Sequence, residues 1–275
     1  MLVPMPDRLV PDDAVAGAFH VKFGHTSQSW VDPSRPDVLL FEYVNHVAIV
    51  LEHTVLNASQ ERRLRIIHIG GAGMTMPRWV AWRRPETAQI VCEPDAELTE
   101  EVRRKIPLPA RSGIKVRDID GRAGVTAMPA GYAEAVVVDA FDGARVPAEL
   151  VSGEFMDDLQ RIGREESMVV FNVTDRAPFP WAKRVVAGMR ERWRHVIVGA
   201  EAPVHKGKRF GNLLLVGSRF KPDLAAIRRD SMRLPFGYRW LDGAELDGWC
   251  AGAEPFTDAD TRHSPDPSGS KLWFS

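Results

Sequence analysis

The run 64-LRIIHIGGAGMTMPRW-79 constrains the fold more than any other stretch of the chain. Four apolar-strand residues, IIHI (66–69), end in a turn holding Gly70, Gly71 and Gly73, and a helical pattern follows over 76–84. The same alternation then repeats. QIVCE (89–93) reads as a second strand and Asp95–Lys105 as a helix whose first turn carries Asp95 and Glu97, favourable beside the positive end of a helix dipole. IKVRDID (114–120), EAVVVDAF (134–141) and MVVFNV (168–173) read as further strands, separated by a helix over 147–163 and followed by one near 178–193. Strands that are continuous apolar runs, alternating with helices, predict a parallel sheet covered on both faces. HVIVGAE (195–201) and NLLLVGS (212–218) are joined by a basic loop with no helix between them, which predicts an antiparallel hairpin at the sheet edge. The expected fold is α/β: a doubly wound, mostly parallel, seven-stranded sheet with that hairpin at its edge.

Ahead of this unit, AFHVKF and SQSWV flank Gly24–Thr26 and predict a small β-hairpin, while residues 1–16, rich in Pro and Asp, read as a frayed start. After Pro33 and Pro36, the segment 38–56 has Leu40, Val44, Val47 and Leu51 at helical spacing and predicts an amphipathic helix. Residues 222–275 are rich in Pro, Gly and Asp and allow a short helix or two. The chain thus divides into a hairpin and helix (1–60), an α/β domain (61–220) and a tail packed on it (221–275).

Composition narrows the function by exclusion. Lys and Arg total 36 against 37 Asp and Glu, a net charge of −1, so no global field recruits nucleic acid or anionic membrane. No window approaches the roughly 20 apolar residues of a membrane span. Cys92 and Cys250 are too few for a disulfide framework, and the opening MLVPMPDRLVPDD has acids and prolines where a signal peptide needs a basic start and an apolar stretch. A cytoplasmic protein is expected.

In an open parallel sheet, ligands bind beyond the carboxyl ends of the strands. Three such ends carry four acids: Glu93, placed to take both hydroxyls of a ribose; Asp120, followed by Gly121; and Asp139 with Asp142. Any one could be a solvated strand end, but four in register point to a site. The glycines permit a tight turn and close backbone approach to a ligand. The turn is a poor dinucleotide site, because Gly71-Ala72-Gly73-Met74-Thr75-Met76 lacks the third glycine of G-x-G-x-x-G and Pro77 removes an N–H that a pyrophosphate would use. A carboxylate-lined site suits a cationic cofactor without phosphate, so S-adenosylmethionine is favoured over NAD.

These segments, with IVCEPD, DIDGRA, VVVDAFDGARVPAEL, VVFNV and GNLLLVGS, resemble in order the spermidine/spermine synthase family, most closely its bacterial spermidine-synthase-like members. The likeness extends to SQSWVD and FEYVNH and covers roughly residues 20–218. It implies a class I methyltransferase-like Rossmann fold, usually dimeric, that transfers an aminopropyl group from decarboxylated S-adenosylmethionine to an amine and releases methylthioadenosine. By this resemblance Gly70, Gly71 and Gly73 wrap the cofactor, Glu93 holds its ribose, and Asp120 with Gly121 meets its adenine. Gln28 reaches the cofactor's tail. Asp139 and Asp142 orient and deprotonate the acceptor amine, with Tyr43 nearby. No metal is expected.

The chain departs from the family pattern at three places. Gly73 stands where an aspartate normally grips the aminopropyl ammonium, 41-FEY-43 replaces Tyr-His-Glu, and 203-PVHKGKRFGN-212 replaces a Tyr-Pro element of the acceptor channel. Lys206, Lys208 and Arg209 on that loop would repel a dication if they faced the channel; on a solvated hairpin tip they would not matter. Two alternatives therefore stay open: a methyltransferase with a non-polyamine, even anionic, acceptor that releases S-adenosylhomocysteine, and a non-catalytic cofactor-binding protein. Other residues read as structural: His68 as a core histidine, Trp79 and Trp82 as packing residues, Arg83–Arg84 as a solvated helix end, and His25, His46 and His53 as lacking metal-ligand spacing.

Overall fold

Every apolar run between residues 64 and 218 becomes a strand, and the helices fall between them. The computed structural model of the chain describes residues 8–23, 26–59 and 61–267. A small antiparallel sheet comes first, from β1 (Leu9–Pro11), β2 (Phe19–Phe23) and β3 (Thr26–Val31) in that order. β1 lies in the stretch whose composition reads as frayed. It is tied down because Leu9 is buried and its N–H, like that of Arg8, donates to the Glu101 carboxylate, while Arg8 pairs with Asp95. His25 and the tip of the hairpin turn lie outside the described residues.

Helix α1 (Glu42–Glu52) is shorter than its apolar spacing predicts. The Asn45 side-chain amide donates to the carbonyls of Leu39 and Phe41, offering the preceding backbone partners other than a helical turn. The main sheet then unfolds in chain order as β4 (Arg65–Ile69), α2 (Thr75–Arg83), β5 (Ala88–Cys92), α3 (Ala96–Lys105), β6 (Ile114–Arg117), α4 (Gly121–Thr126), β7 (Ala133–Val138), α5 (Gly153–Ile162) and β8 (Gly163–Asp175). After it come α6 (Pro180–Arg192), β9 (His195–Glu201), a single turn α7 (Ala202–His205), β10 (Gly211–Ser218), α8 (Leu224–Ser231), β11 (Tyr238–Leu241) and α9 (Gly243–Trp249).

Among the described residues this sheet has eight strands, ordered β11-β9-β10-β8-β7-β4-β5-β6. β8, β7, β4, β5 and β6 are parallel, and β10 runs antiparallel between β8 and β9 as the edge hairpin predicts. The eighth strand is a correction to the expected seven. β11 comes from the tail and pairs antiparallel with β9, burying Tyr238 and Trp240 while Arg239 faces out. Trp240 lies flat over Gly199, where an added Cβ would stand 2.6 Å from the ring. Four alternating residues inside a Pro/Gly-rich tail are too few to read as a strand.

Helix α2 brings two more corrections. Trp79 packs in the core, but Trp82 is 51% exposed. Arg84 is no solvated helix end: it is buried, and its guanidinium donates to the carbonyls of Leu56, Ala58, Ser59 and Arg62. Arg83 does stay outside, paired with Glu52. His68 is the core residue its position in the strand predicts, hydrogen bonded to Gln89 at 2.8 Å and held neutral by burial, with its pKa lowered to about 4.

Candidate active site

Strand order reverses between β4 and β7, and at their carboxyl ends opens a cavity of about 910 Å³. Its walls come from the ends of β4, β5, β7 and β8, from α1, and from the N-terminal sheet folded over the top. That volume is in the range of a small-molecule site.

The glycine turn after β4 forms one wall. Gly70 has φ of +90°, and an added Cβ would meet the Asp139 carbonyl oxygen at 2.2 Å, so only glycine lets β4 and β7 end this close together. The N–H groups of Gly71 and Ala72 donate to one oxygen of Glu93 at 2.9 and 3.1 Å, and the N–H of Asp95 donates to the other at 3.0 Å. Glu93 is thereby fixed in the wall, and Oε1, which accepts one donor, keeps room for another. Asp120 and Gly121 also line the cavity. Asp120 caps α4, accepting the Ala123 N–H at 2.8 Å, and Gly121 lets that helix sit on Ile69, where an added Cβ would come to 2.2 Å.

Gly73 is different. It is absent from the cavity wall and faces the N-terminal sheet, where an added Cβ would touch Val21, Val31 and Ser29 at 3.1–3.3 Å. Of the three glycines expected at the cofactor, only Gly70 and Gly71 line the cavity. Beside them the wall presents the Ser29 and Thr75 hydroxyls, 2.9 Å apart.

Asp139, just past β7, is part of the cavity wall. It accepts from the Tyr43 hydroxyl at 3.2 Å and from the Asn172 amide at 2.8 Å. Burial pushes its carboxyl above the usual carboxylate range, and the two donors oppose that rise. Burial, with the Asp139 charge beside it, holds the Tyr43 hydroxyl protonated. Asn172 is a member that reading the sequence missed. It sits inside the apolar run of β8, is 2% exposed, and among the described residues its side-chain Oδ1 has no hydrogen-bond partner although it lines the cavity. A buried, unsatisfied acceptor suits a donor brought by a ligand.

Asp142 lies at the rim, exposed, with its backbone closing a turn against Arg145. Gln28 reaches that turn from β3 by donating to the Gly143 carbonyl. The structure thus brings Gln28, Tyr43, Gly70, Gly71, Glu93, Asp120, Gly121, Asp139 and Asp142 to one cavity and leaves Gly73 outside its wall.

The basic loop divides. Lys206 and Lys208 are exposed and do not line the cavity, whereas Arg209 does line it, paired with the buried Glu201 carboxylate. Among the described residues, eight acidic side chains line the cavity against this one guanidinium, so its potential favours a cation. Among the described residues no group of His, Cys, Asp and Glu is arranged to hold a metal ion. His46 instead stacks on Tyr238, and His53 pairs with Asp230.

No protein-family model matches the chain, and no curated protein does. Among solved structures, a probable spermidine synthase from Corynebacterium glutamicum matches with a TM-score of 0.85 at 27% identity, covering 91% of this chain and 92% of that one. A spermidine synthase in complex with the transition state analogue AdoDATO matches with a TM-score of 0.53 at 11% identity, covering 88% and 84%. Human methyltransferase-like protein 13 in complex with SAH matches at 0.56 and 17%, covering 73% and 96%. The last two likenesses are of fold. The resemblance read from the motifs holds in three dimensions, and the fold is the α/β, methyltransferase-like one expected.

Proposed function

We propose that this chain, similar in fold to a probable spermidine synthase over 91% of its length, is a transferase acting on an adenosyl sulfonium. In this reading it moves the aminopropyl group of decarboxylated S-adenosylmethionine to a small amine. The observation that carries the reading is Asp139, held by Tyr43 and Asn172 in the wall of a cavity rich in carboxylates and lined by the Gly70–Gly71 turn. The residues present fit such a group. The Gly70–Gly71 turn brings backbone to the cavity wall, Glu93 Oε1 retains acceptor capacity for a ribose hydroxyl, and the acidic wall balances a sulfonium and an ammonium. When bound, the sulfonium supplies an electrophilic carbon whose bond to sulfur breaks as a nucleophile attacks.

The chain's own residues prepare that nucleophile. An ammonium has no lone pair, so it must lose a proton before it attacks. The anionic wall draws the cation in, and Asp142 at the rim meets it first. Asp139 then accepts a proton from the attacking nitrogen. Its raised pKa makes it a stronger base than an exposed carboxylate, and Tyr43 on one oxygen and Asn172 on the other fix the carboxylate that receives the proton. Holding donor and acceptor in line supplies much of the remaining rate.

One observation favours a second reading, methyl transfer from S-adenosylmethionine itself. No acid stands at Gly73 to bind an aminopropyl ammonium, and its Cβ direction points at the N-terminal sheet. The products separate the two. Incubating the protein with each sulfonium and a panel of diamines and monoamines yields methylthioadenosine by aminopropyl transfer and S-adenosylhomocysteine by methyl transfer. Methylthioadenosine from the decarboxylated sulfonium is expected; formation of neither product with any acceptor contradicts the catalytic reading.

A further inference from the structure

The tail that crosses helices α5 and α6 reaches the cavity mouth at His263 and Pro267. Phe256 is buried against Trp181, with the Arg184 guanidinium over its ring, and its carbonyl accepts the N–H of Gly153. Further on, the Trp181 indole donates to the Arg262 carbonyl at 2.8 Å, and the Thr261 hydroxyl donates to that of Ala148 at 2.6 Å. Ser264 completes the attachment. It is fully buried, its N–H donates to the Val146 carbonyl at 3.1 Å, and its Oγ accepts the Val146 N–H at 2.8 Å. Its carbonyl accepts from the Arg145 guanidinium at 2.7 Å, and its hydroxyl lies 3.3 Å from that of Thr174, itself in the cavity wall.

The backbone on both sides of His263 is therefore fixed, and the residue between is presented to the cavity. The His263 ring is half-buried and, among the described residues, has no hydrogen-bond partner. Its place within the cavity follows from its anchors. Arg145, Val146 and Thr174 belong to the loop after β7 and to β8, whereas the Gly70–Gly71 turn, Glu93 and Asp120 lie on the β4–β5 side of Asp139. His263 thus stands on the β7–β8 side of the cavity, beside the loop that carries Asp142.

We infer that His263 contacts the acceptor and helps to set which acceptor is used, so that the C-terminal segment completes the active site. The inference rests on the adenosyl-transferase reading above. In a wall otherwise dominated by carboxylates, an imidazole offers both an N–H donor and a lone pair. It can bond an amine and equally a hydroxyl, which a carboxylate-only wall cannot do with both polarities. The acceptor class this favours is an amine carrying a second polar group, such as an amino alcohol or a diamine.

The test compares wild type, His263→Ala and His263→Gln by calorimetry. Methylthioadenosine is titrated first, then 1,4-diaminobutane and 4-aminobutan-1-ol with methylthioadenosine saturating. Methylthioadenosine affinity is expected to stay the same in all three proteins. Affinity for both amines should fall about tenfold in His263→Ala, the scale of one lost hydrogen bond, and return in part in His263→Gln, whose amide keeps a donor and an acceptor. Unchanged amine affinity in His263→Ala overturns the inference, as does a wild type that binds methylthioadenosine but neither amine. Parallel loss of methylthioadenosine and amine binding in His263→Ala means a structural role and also overturns it. A wild type that binds no methylthioadenosine contradicts the reading of the cavity itself, and the inference falls with it.

Discussion

Asp139 shows how a single residue carries opposing demands. Because burial raises its carboxyl above the ordinary 3.8, the folded chain holds this proton more tightly than the unfolded chain does. Its contribution to stability is complete below pH 3.8 and is lost as pH rises through the raised value, so at neutral pH the ionised group is a net cost. Asp139→Asn is therefore expected to raise the urea midpoint at pH 7, with the gap to wild type closing toward pH 3.8, while turnover falls at least about 100-fold. A variant that keeps turnover removes Asp139 from its role. Gly73 permits a converse test. Gly73→Asp restores the family's acid, yet its side chain would enter the contact with Val21, Val31 and Ser29. It should cost about 1–3 kcal/mol in unfolding measurements and bring no preference for the decarboxylated sulfonium. A gain in that preference would mean the side chain reaches the cavity. Glu93, Asp120 and Asp139 were legible because each stands at the end of a strand-like run. Asn172 was hidden by lying inside one; a polar residue within an apolar strand was the available signal. The direction Gly73 faces follows from left-handed neighbours, Ala72 and Met74, which their residue types do not announce.

At the scale of elements, strand identity was legible wherever a run was buried on both faces, since β4, β5, β7 and β8 have little other way to hide it. Boundaries were not, because they depend on competing hydrogen bonds: Asn45 delays α1, and Asp120 starts α4 inside what reads as the end of a strand. Arg84 shows the same limit. Next to Arg83 at a helix end, it reads as solvated, yet it satisfies four carbonyls in the segment joining α1 to β4. Replacing it leaves those acceptors without their donor. Arg84→Ala should lower stability by about 2–4 kcal/mol, and Arg84→Lys should recover little, because an ammonium cannot spread donors across a planar fork. Full recovery with lysine would show that charge, not geometry, holds the segment. The matching change at Arg83, whose partner Glu52 is near the surface, should cost under about 1 kcal/mol.

For the whole molecule, the alternating pattern of strands and helices was enough to anticipate a doubly wound sheet and to place a site at its carboxyl edge. The contributions of the tail were not readable, because β11 and Ser264 gain meaning only from distant partners, Gly199 in one case and Val146 in the other. The cavity itself is assembled from every part of the described chain, with the N-terminal sheet above, the α/β core below and the tail at the mouth. The preference proposed for it, an adenosyl sulfonium over a dinucleotide, rests on the Gly70–Gly71 turn and the acidic wall. Calorimetric titration of one protein preparation with decarboxylated S-adenosylmethionine, S-adenosylmethionine, methylthioadenosine and NAD tests this directly. The account predicts heat and saturation with the adenosyl-sulfur compounds, strongest for the decarboxylated form, and none with NAD. Binding of NAD alone would contradict it.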